Sequence, residues 1–268
     1  MSFFFHSLVR TFLAERAIHL VSNEIRDELH ARNTEPTHFR QVDFALLFSG
    51  KPELNAFLDL CGRTSVTQGN GITFHQTMIN EKSAVLVDVS SDPVKTTEAI
   101  LNVFQPKRVI SAGFAKSLQK NMKNRLFIPT KIVATKSASS LEIWNPSLIE
   151  GPQASGEKND ICSGILCSGR PSHAILEKYD LFAVDSSTYY VVNTCRERNI
   201  PCFPLEVITS NYDSRNDVSQ KCSFARKFGH FLGKTWKSPK YALNSFHHQI
   251  NLLETGEVLA KIVVKFFF

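Results

Sequence analysis

Few of the 268 residues combine reactive side chains at spacings that do chemistry by themselves. The cysteines are Cys61, Cys162, Cys167, Cys195, Cys202 and Cys222, and none forms the C-x-x-C pair of a zinc ribbon or a redox motif. Free cysteines in this pattern fit a reducing compartment. Cys195 and Cys202 fall in a segment that reads as buried, where cysteine acts as a small hydrophobe. His247-His248 stands on a helical stretch without carboxylate or cysteine partners at ligand spacing, and reads as a solvated pair. No metal site and no cofactor are expected. What remains are carboxylates and hydroxyls at element boundaries. Glu53 lies in Ser49-Gly50-Lys51-Pro52-Glu53, in the first turn of a helix, where the helix dipole favours an acid. Asp185-Ser186-Ser187-Thr188 stands where a strand gives way to a helix, and Ser187 suits an N-cap there. Ser210 closes Val207-Ile208-Thr209-Ser210, and Asp213 follows three positions on.

The elements that must position these groups read as alternating strands and helices. Phe44–Phe48 is a continuous apolar run, as in a strand buried on both faces. Residues 52–60 carry apolar residues at helical spacing. The Gly69-Asn70-Gly71 turn introduces strands over 72–78 and 84–89. Residues 93–104 read as a helix with Pro93 in its first turn. Val109–Gly113 reads as a strand ending in a glycine turn, and 125–133 as a further strand. Residues 136–160, rich in Ser, Asn, Gly and Pro, read as a loop or lid. Strands then follow over 161–167, 182–184 and 202–208, with helices over 172–179 and 187–198 between them. Residues 3–31, 224–232 and 244–264 read as helical. This gives an N-terminal helical extension over 1–36, an α/β domain over 42–232 and a C-terminal helical extension over 233–268.

Composition bounds the function class. The apolar share of 43% and charged share of 21% are those of an ordinary globular protein. A formal charge of +6 could favour an anionic partner, and a solvated surface with a mild basic bias accounts for it as well. No basic stripe interleaved with aromatics occurs, so nucleic acid is not an expected partner. No apolar run reaches the length of a membrane span, and residues 1–21 are interrupted by His6, Arg10, Glu15 and Arg16. A cytoplasmic location is the expectation.

Three ordered segments carry a resemblance. Pro106-Lys107-Arg108-Val109-Ile110-Ser111-Ala112-Gly113-Phe114-Ala115 is similar to the pattern P-x-x-V-I-S-x-G-x-A-G. Ala183-Val184-Asp185, continued to Cys195 and through Ile200-Pro201, resembles A-V-[DE]-M-E-[ST]-A…C-x-x-x-x-[IV]-P-F. Val207-Ile208-Thr209-Ser210 stands where the pattern has [VI]-S-D. Together they resemble the nucleoside phosphorylase and methylthioadenosine/S-adenosylhomocysteine nucleosidase superfamily, from about residue 42 to 227. The resemblance implies a three-layer α/β/α fold with a central mixed, partly barrel-like sheet and added terminal helices. It also implies cleavage of the N-glycosidic bond of purine nucleosides. That reaction needs a hydrogen bond or proton at the purine N7, a carboxylate clasping the ribose hydroxyls, and a base or phosphate clamp opposite the leaving group.

By that resemblance Glu53 matches the water-activating glutamate. Ala115 and Lys116 match the base-binding turn, with lysine in place of glycine. Asp185, Ser186 and Ser187 match the ribose-binding segment, and Ser187 stands in the place of the clasping glutamate. Serine carries no charge and cannot clasp both hydroxyls. Ser210 replaces the N7 aspartate and is a poor acid; a slip in register would bring in Asp213. The arginine preceding that aspartate in the family is replaced by Glu206. The phosphate turn reads Val89-Ser90-Ser91-Asp92-Pro93, without glycine and with an acid where an anion would bind. The expectation is a nucleosidase-like protein, catalytically weak or inactive, that binds a nucleoside or related small ligand and forms at least a dimer. Two alternatives stand beside it: an active nucleosidase with a rearranged site on Glu53, Asp185 and Asp213, and a non-catalytic oligomeric scaffold.

Overall fold

The computed structural model of the chain describes residues 41–135, 139–143, 161–212, 255–265 and 267–268. The helices expected over 3–31 and 224–232, the first part of the one over 244–264, and Asp213 lie outside these residues.

Strand β1 (Phe44–Phe48) leads into helix α1 (Lys51–Leu58). Strands β2 (Thr64–Gly69), β3 (Ile72–Ile79) and β4 (Lys82–Asp88) form an antiparallel meander. The β2–β3 turn is made by Asn70 and Gly71, both at positive φ, which accounts for the Asn-Gly pair there. Helix α2 (Pro93–Phe104) then returns to β5 (Arg108–Ser117). Strands β6 (Leu126–Ala134), β7 (Ser140–Glu142) and β8 (Ile161–Ser168) follow. Helix α3 (His173–Lys178), β9 (Leu181–Asp185), helix α4 (Thr188–Glu197) and β10 (Cys202–Asn211) come next. Residues 255–265 form a last helix, α5.

All the strands belong to one mixed sheet that closes on itself at one side. β5 pairs with β10, β10 with β6, β6 with β8, β8 with β9, and β9 returns to β5. β1, β4, β3 and β2 extend from β5 as an open wing. Alternation along the wing strands divides the core. Phe44, Leu46, Phe48, Ala84 and Leu86 pack on α1 and on Leu259, Ala260 and Val263 of α5. Ala45, Leu47, Val85 and Val87 pack on the opposite side against Ile100 and Leu101 of α2 and Val191 of α4. Helices on both faces of a mixed, partly closed sheet make the three-layer α/β/α arrangement expected from the sequence. A third cluster takes Ala115, Phe127, Leu166, Ala183 and Ile208 from the five ring strands, with Tyr189 and Val192 of α4, and so fills the ring.

Three local expectations are corrected. Gly113 is not a turn: β5 continues through it to Ser117, because the glycine is needed there for close approach rather than for reversal. The loop expected over 136–160 contains strand β7, which pairs with β6; the remainder of that loop, apart from Ser139 and Ile143, lies outside the described residues. The strand Thr64–Gly69 was not anticipated, since its polar residues alternate too weakly to mark it; pairing with β3 makes it a strand.

Candidate functional site

Ser49 and Gly50 link the end of β1 to α1, and Pro52 starts the helix without costing a needed N–H. This short connection directs Glu53 inward, where it is only 5% exposed. The Ser49 hydroxyl donates to Glu53 Oε1 at 3.0 Å. The backbone N–H of Phe114 on β5 donates to the same hydroxyl oxygen at 3.3 Å. Burial pushes the Glu53 carboxyl up from an ordinary 4.5 to about 7; the charge of Asp88 adds to the rise, and the hydrogen bonds from Ser49 and backbone N–H groups oppose it. A carboxyl that titrates near neutrality can take up or release a proton in the range a general base or acid needs.

A second carboxyl lies at the ends of β8 and β9, where Ser168 and Asp185 are in register. The Ser168 hydroxyl donates to Asp185 Oδ1. The backbone N–H groups of Ser187 and Thr188 donate to Oδ2 at 2.8 and 2.7 Å. Tyr189 N–H donates to the Ser168 hydroxyl at 2.9 Å. Asp185 therefore caps α4. Ser187 occupies the N-cap position but its hydroxyl makes no cap hydrogen bond, which corrects the expectation of a serine cap: a carboxylate two residues earlier is the stronger acceptor for the same donors. Ser187 is buried and Ser186 exposed.

Strand β10 brings a third carboxyl, from a residue that sequence reasoning noted only for its reversed charge. Glu206 lies opposite Gly113 of β5 and Phe127 of β6, and is wholly buried. The Thr188 hydroxyl donates to its Oε1 at 2.6 Å. Its Oε2 is buried without a hydrogen-bond partner. Burial raises the Glu206 pKa well above 4.5, with the charges of Asp185 and Glu53 adding to the rise and the Thr188 hydrogen bond opposing it. A Cβ at Gly113 would lie 2.2 Å from Ser49 Oγ and 2.9 Å from Glu206 Oε2. Only glycine leaves room for both side chains over β5. An acid within the apolar run Phe203-Pro204-Leu205-Glu206-Val207-Ile208 was the available signal, since a buried charge is costly unless it is neutralised or used.

The other candidates are placed around the same strand. Ala115 is fully buried in the ring cluster. Lys116 lies opposite Val184 on β9 and Ser210 on β10. The β5–β10 register slips between Ile208 and Ser210, and the Thr209 hydroxyl donates to the Ala115 carbonyl at 3.3 Å. Ser210 is half-buried. The segment Gly113–Lys116 of β5 is thus common ground for Glu53, through Ser49 and Phe114, for Ser187, through Thr188 and Glu206, and for Ala115 and Ser210 directly.

Two backbone donors at the loop after β4 are held by its own aspartates. Asp88 accepts from Ser90 N–H at 2.8 Å, and Asp92 accepts from Lys95 N–H at 3.1 Å, capping α2. Among the hollows bordered by described residues are two of similar volume. One, of about 380 Å³, lies by Leu118, Tyr179 and Leu181, away from the three carboxyls. The other, of about 400 Å³, lies between α1, His75, Asp88 and Ser90, and Asp88 relates it to Glu53. Among the described residues there is no group of three or more His, Cys, Asp or Glu arranged to hold a metal ion. No helix among them is long and apolar enough to cross a membrane.

No family model matches the sequence, and no curated protein does either. Solved structures do match. Helicobacter pylori 5'-methylthioadenosine/S-adenosylhomocysteine nucleosidase, in complex with a substituted pyrrolidinol, superposes with a TM-score of 0.65 at 18% identity, over 84% of this chain and 98% of that one. Native futalosine hydrolase of H. pylori superposes with a TM-score of 0.64 at 18% identity, over 85% and 97%. The methylthioadenosine/S-adenosylhomocysteine nucleosidase of S. pneumoniae, with a transition-state inhibitor, gives 0.63 at 13% identity, over 83% and 97%. At such identities the likeness is one of fold, and it extends over nearly the whole of each neighbour. The chain has the nucleoside phosphorylase-like fold of these nucleosidases.

Proposed function

We propose that this chain is a nucleosidase-like protein of purine nucleoside metabolism that binds a nucleoside or related small ligand and cleaves its N-glycosidic bond weakly or not at all. One observation carries the reading. The carboxylate of Asp185 is committed to Ser168, Ser187 and Thr188 within the protein, while Ser187 itself has no charge to offer. A ribose in this cleft would lack the paired acceptor that a free carboxylate provides, and with it the stabilisation of positive charge developing on the sugar. Ser210 adds a second deficit, because a hydroxyl does not protonate a leaving purine.

The test is adenine release from methylthioadenosine and S-adenosylhomocysteine at saturating substrate. Turnover at least ~10³-fold below that of an intact nucleosidase is expected, since loss of one positioned acid–base group costs about 10²–10⁴-fold. Turnover near one per second, inside the ordinary enzyme range, would overturn the reading. A thermal-shift screen with adenine, methylthioadenosine, S-adenosylhomocysteine and inosine separates a binder from a scaffold.

The rearranged active nucleosidase has one observation in its favour: Glu53, buried and titrating at about 7, is suited to activate water. Its remaining groups would be Asp185 and Asp213, and Asp213→Asn should then abolish turnover. A dimer is also proposed, from the apolar content of the two terminal extensions; light scattering that gives the mass of a single chain would exclude it.

A further inference from the structure

We propose that Glu206 is a proton-holding partner of Glu53, joined to it through the hydroxyl of Ser49. The inference rests on placing the working site at Glu53, as above, but not on turnover. It starts from the unpartnered Glu206 Oε2, buried at the point where β10, β5 and the β1–α1 link meet. Burying a polar atom without a partner costs free energy, and natural folds rarely leave one. Oε2 and Ser49 Oγ lie 2.9 and 2.2 Å from the same point, the vacant Cβ position of Gly113, and no hydrogen bond joins them as they stand, so the link forms when Glu206 takes up a proton and turns Oε2 onto Ser49 Oγ.

Counting donors and acceptors gives the proton positions. Ser49 Oγ donates its one hydrogen to Glu53 Oε1 and accepts from Phe114 N–H. A hydroxyl oxygen has two acceptor sites, so one is left. A carboxylate at Glu206 could not use it; a carboxylic acid can, by donating from Oε2. The Thr188 hydroxyl already serves Oε1, so protonation at Oε2 satisfies the group. A proton passes by exchange along this line. Glu206 Oε2–H gives its proton to Ser49 Oγ as Ser49 gives its own to Glu53 Oε1, and the reverse shift restores the start. One proton is gained by Glu53 and one lost by Glu206, with no other reactant.

The charges bearing on the pair agree with this. Glu53 faces Asp88 at the end of β4, and Glu206 faces Asp185 at the end of β9 and Glu53 itself. Like charges this close favour one retained proton. α5 turns apolar Leu259, Ala260 and Val263 toward this core, while its Glu257 and Lys261 pair with each other at the surface.

Infrared difference spectroscopy on the full chain without substrate tests the proposal. A protonated-carboxyl band should persist at pH well above the Glu53 midpoint and disappear in Glu206→Gln. In Ser49→Ala the band should remain but move to higher frequency, because the acid loses its acceptor. Absence of the band in the wild-type chain would overturn the proposal, as would its persistence in Glu206→Gln. An unmoved band in Ser49→Ala would overturn the link through Ser49, a loss that a merely structural serine would not separate from the Glu206 signal. The wild-type measurement needs no variant to fold. Because no substrate is present, failure of nucleoside cleavage leaves this result standing, and failure here leaves the turnover measurement standing.

Discussion

The first turns of α2 and α4 are built by the same device and end in different chemistry. Each begins after a strand, and each is capped by an aspartate: Asp92 accepts from Lys95 N–H, and Asp185 accepts from Ser187 and Thr188 N–H. Asp92 is exposed, and its cap goes no further than its own helix. Asp185 is 7% exposed, takes a further hydrogen bond from Ser168, and lies one residue pair from Glu206 through Thr188. Water screens the first carboxylate, so it behaves as a local stop signal. The second is deprived of water, so its charge reaches Glu206. Depth, not motif, separates a cap from a site.

The comparison is broken most severely by removing the two caps in parallel. Asp185→Ala leaves two backbone N–H groups and the Ser168 hydroxyl without their acceptor and should cost about 1–3 kcal/mol for each buried donor left unsatisfied. Asp92→Ala should cost about 1 kcal/mol, the ordinary worth of an exposed cap. Urea denaturation of both variants measures the gap; equal losses would mean that burial adds nothing to the α4 cap.

The next largest effect is on pH dependence. The folded Glu53 carboxyl titrates at about 7 against 4.5 for the ordinary group. The folded state therefore binds the proton more tightly than the unfolded state. Stability from this group is complete below pH 4.5 and is lost as the pH rises to about 7, by about 3 kcal/mol. Asp43, at the other end of β1, behaves oppositely. The Lys107 side chain donating to it, then the Ser83 hydrogen bonds, hold its carboxyl at about 2 against 3.8. Its contribution is present above 3.8 and is lost as the pH falls to about 2. Denaturation across pH should show the Glu53 slope removed in Glu53→Gln, and the acid-side slope reduced in Asp43→Asn.

A smaller effect is expected at Gly113. Gly113→Ala must displace Ser49 or Glu206 and should cost about 1–3 kcal/mol, the usual range for overpacking. Combining it with Ser49→Gly removes the nearest obstacle and should return part of that loss. Full additivity of the two changes would show that Ser49 and Gly113 are not in contact.

Much of the fold was legible because the signal is local and repeated. The short apolar runs at Phe44–Phe48 and Phe182-Ala183-Val184 read as strands buried on both faces, and both are. Asp92-Pro93 marks the start of α2 as plainly as a cap and a helix-ready φ can. Glu53 was also legible, because one short link fixes it to the end of β1. The role of Ser187 was not, since an N-cap position and a capping side chain are different things, and the competing acceptor came from Asp185 within a buried junction. Gly113 looked like a turn because glycine is common in turns; nothing in its neighbours announced that Ser49 and Glu206 would need the space.

By itself the sequence determined most of the strands and helices and their order, because apolar periodicity and boundary residues act over a few positions. It also determined that Ser187 and Ser210 are uncharged. Tertiary structure alone decided that β5, β10, β6, β8 and β9 close into a ring, because closure depends on pairings between residues far apart in the chain. It alone brought Glu53 and Asp185 within electrostatic reach of Glu206. A carboxyl's protonation state is set by what removes water from it and what charges face it, and both come from distant segments.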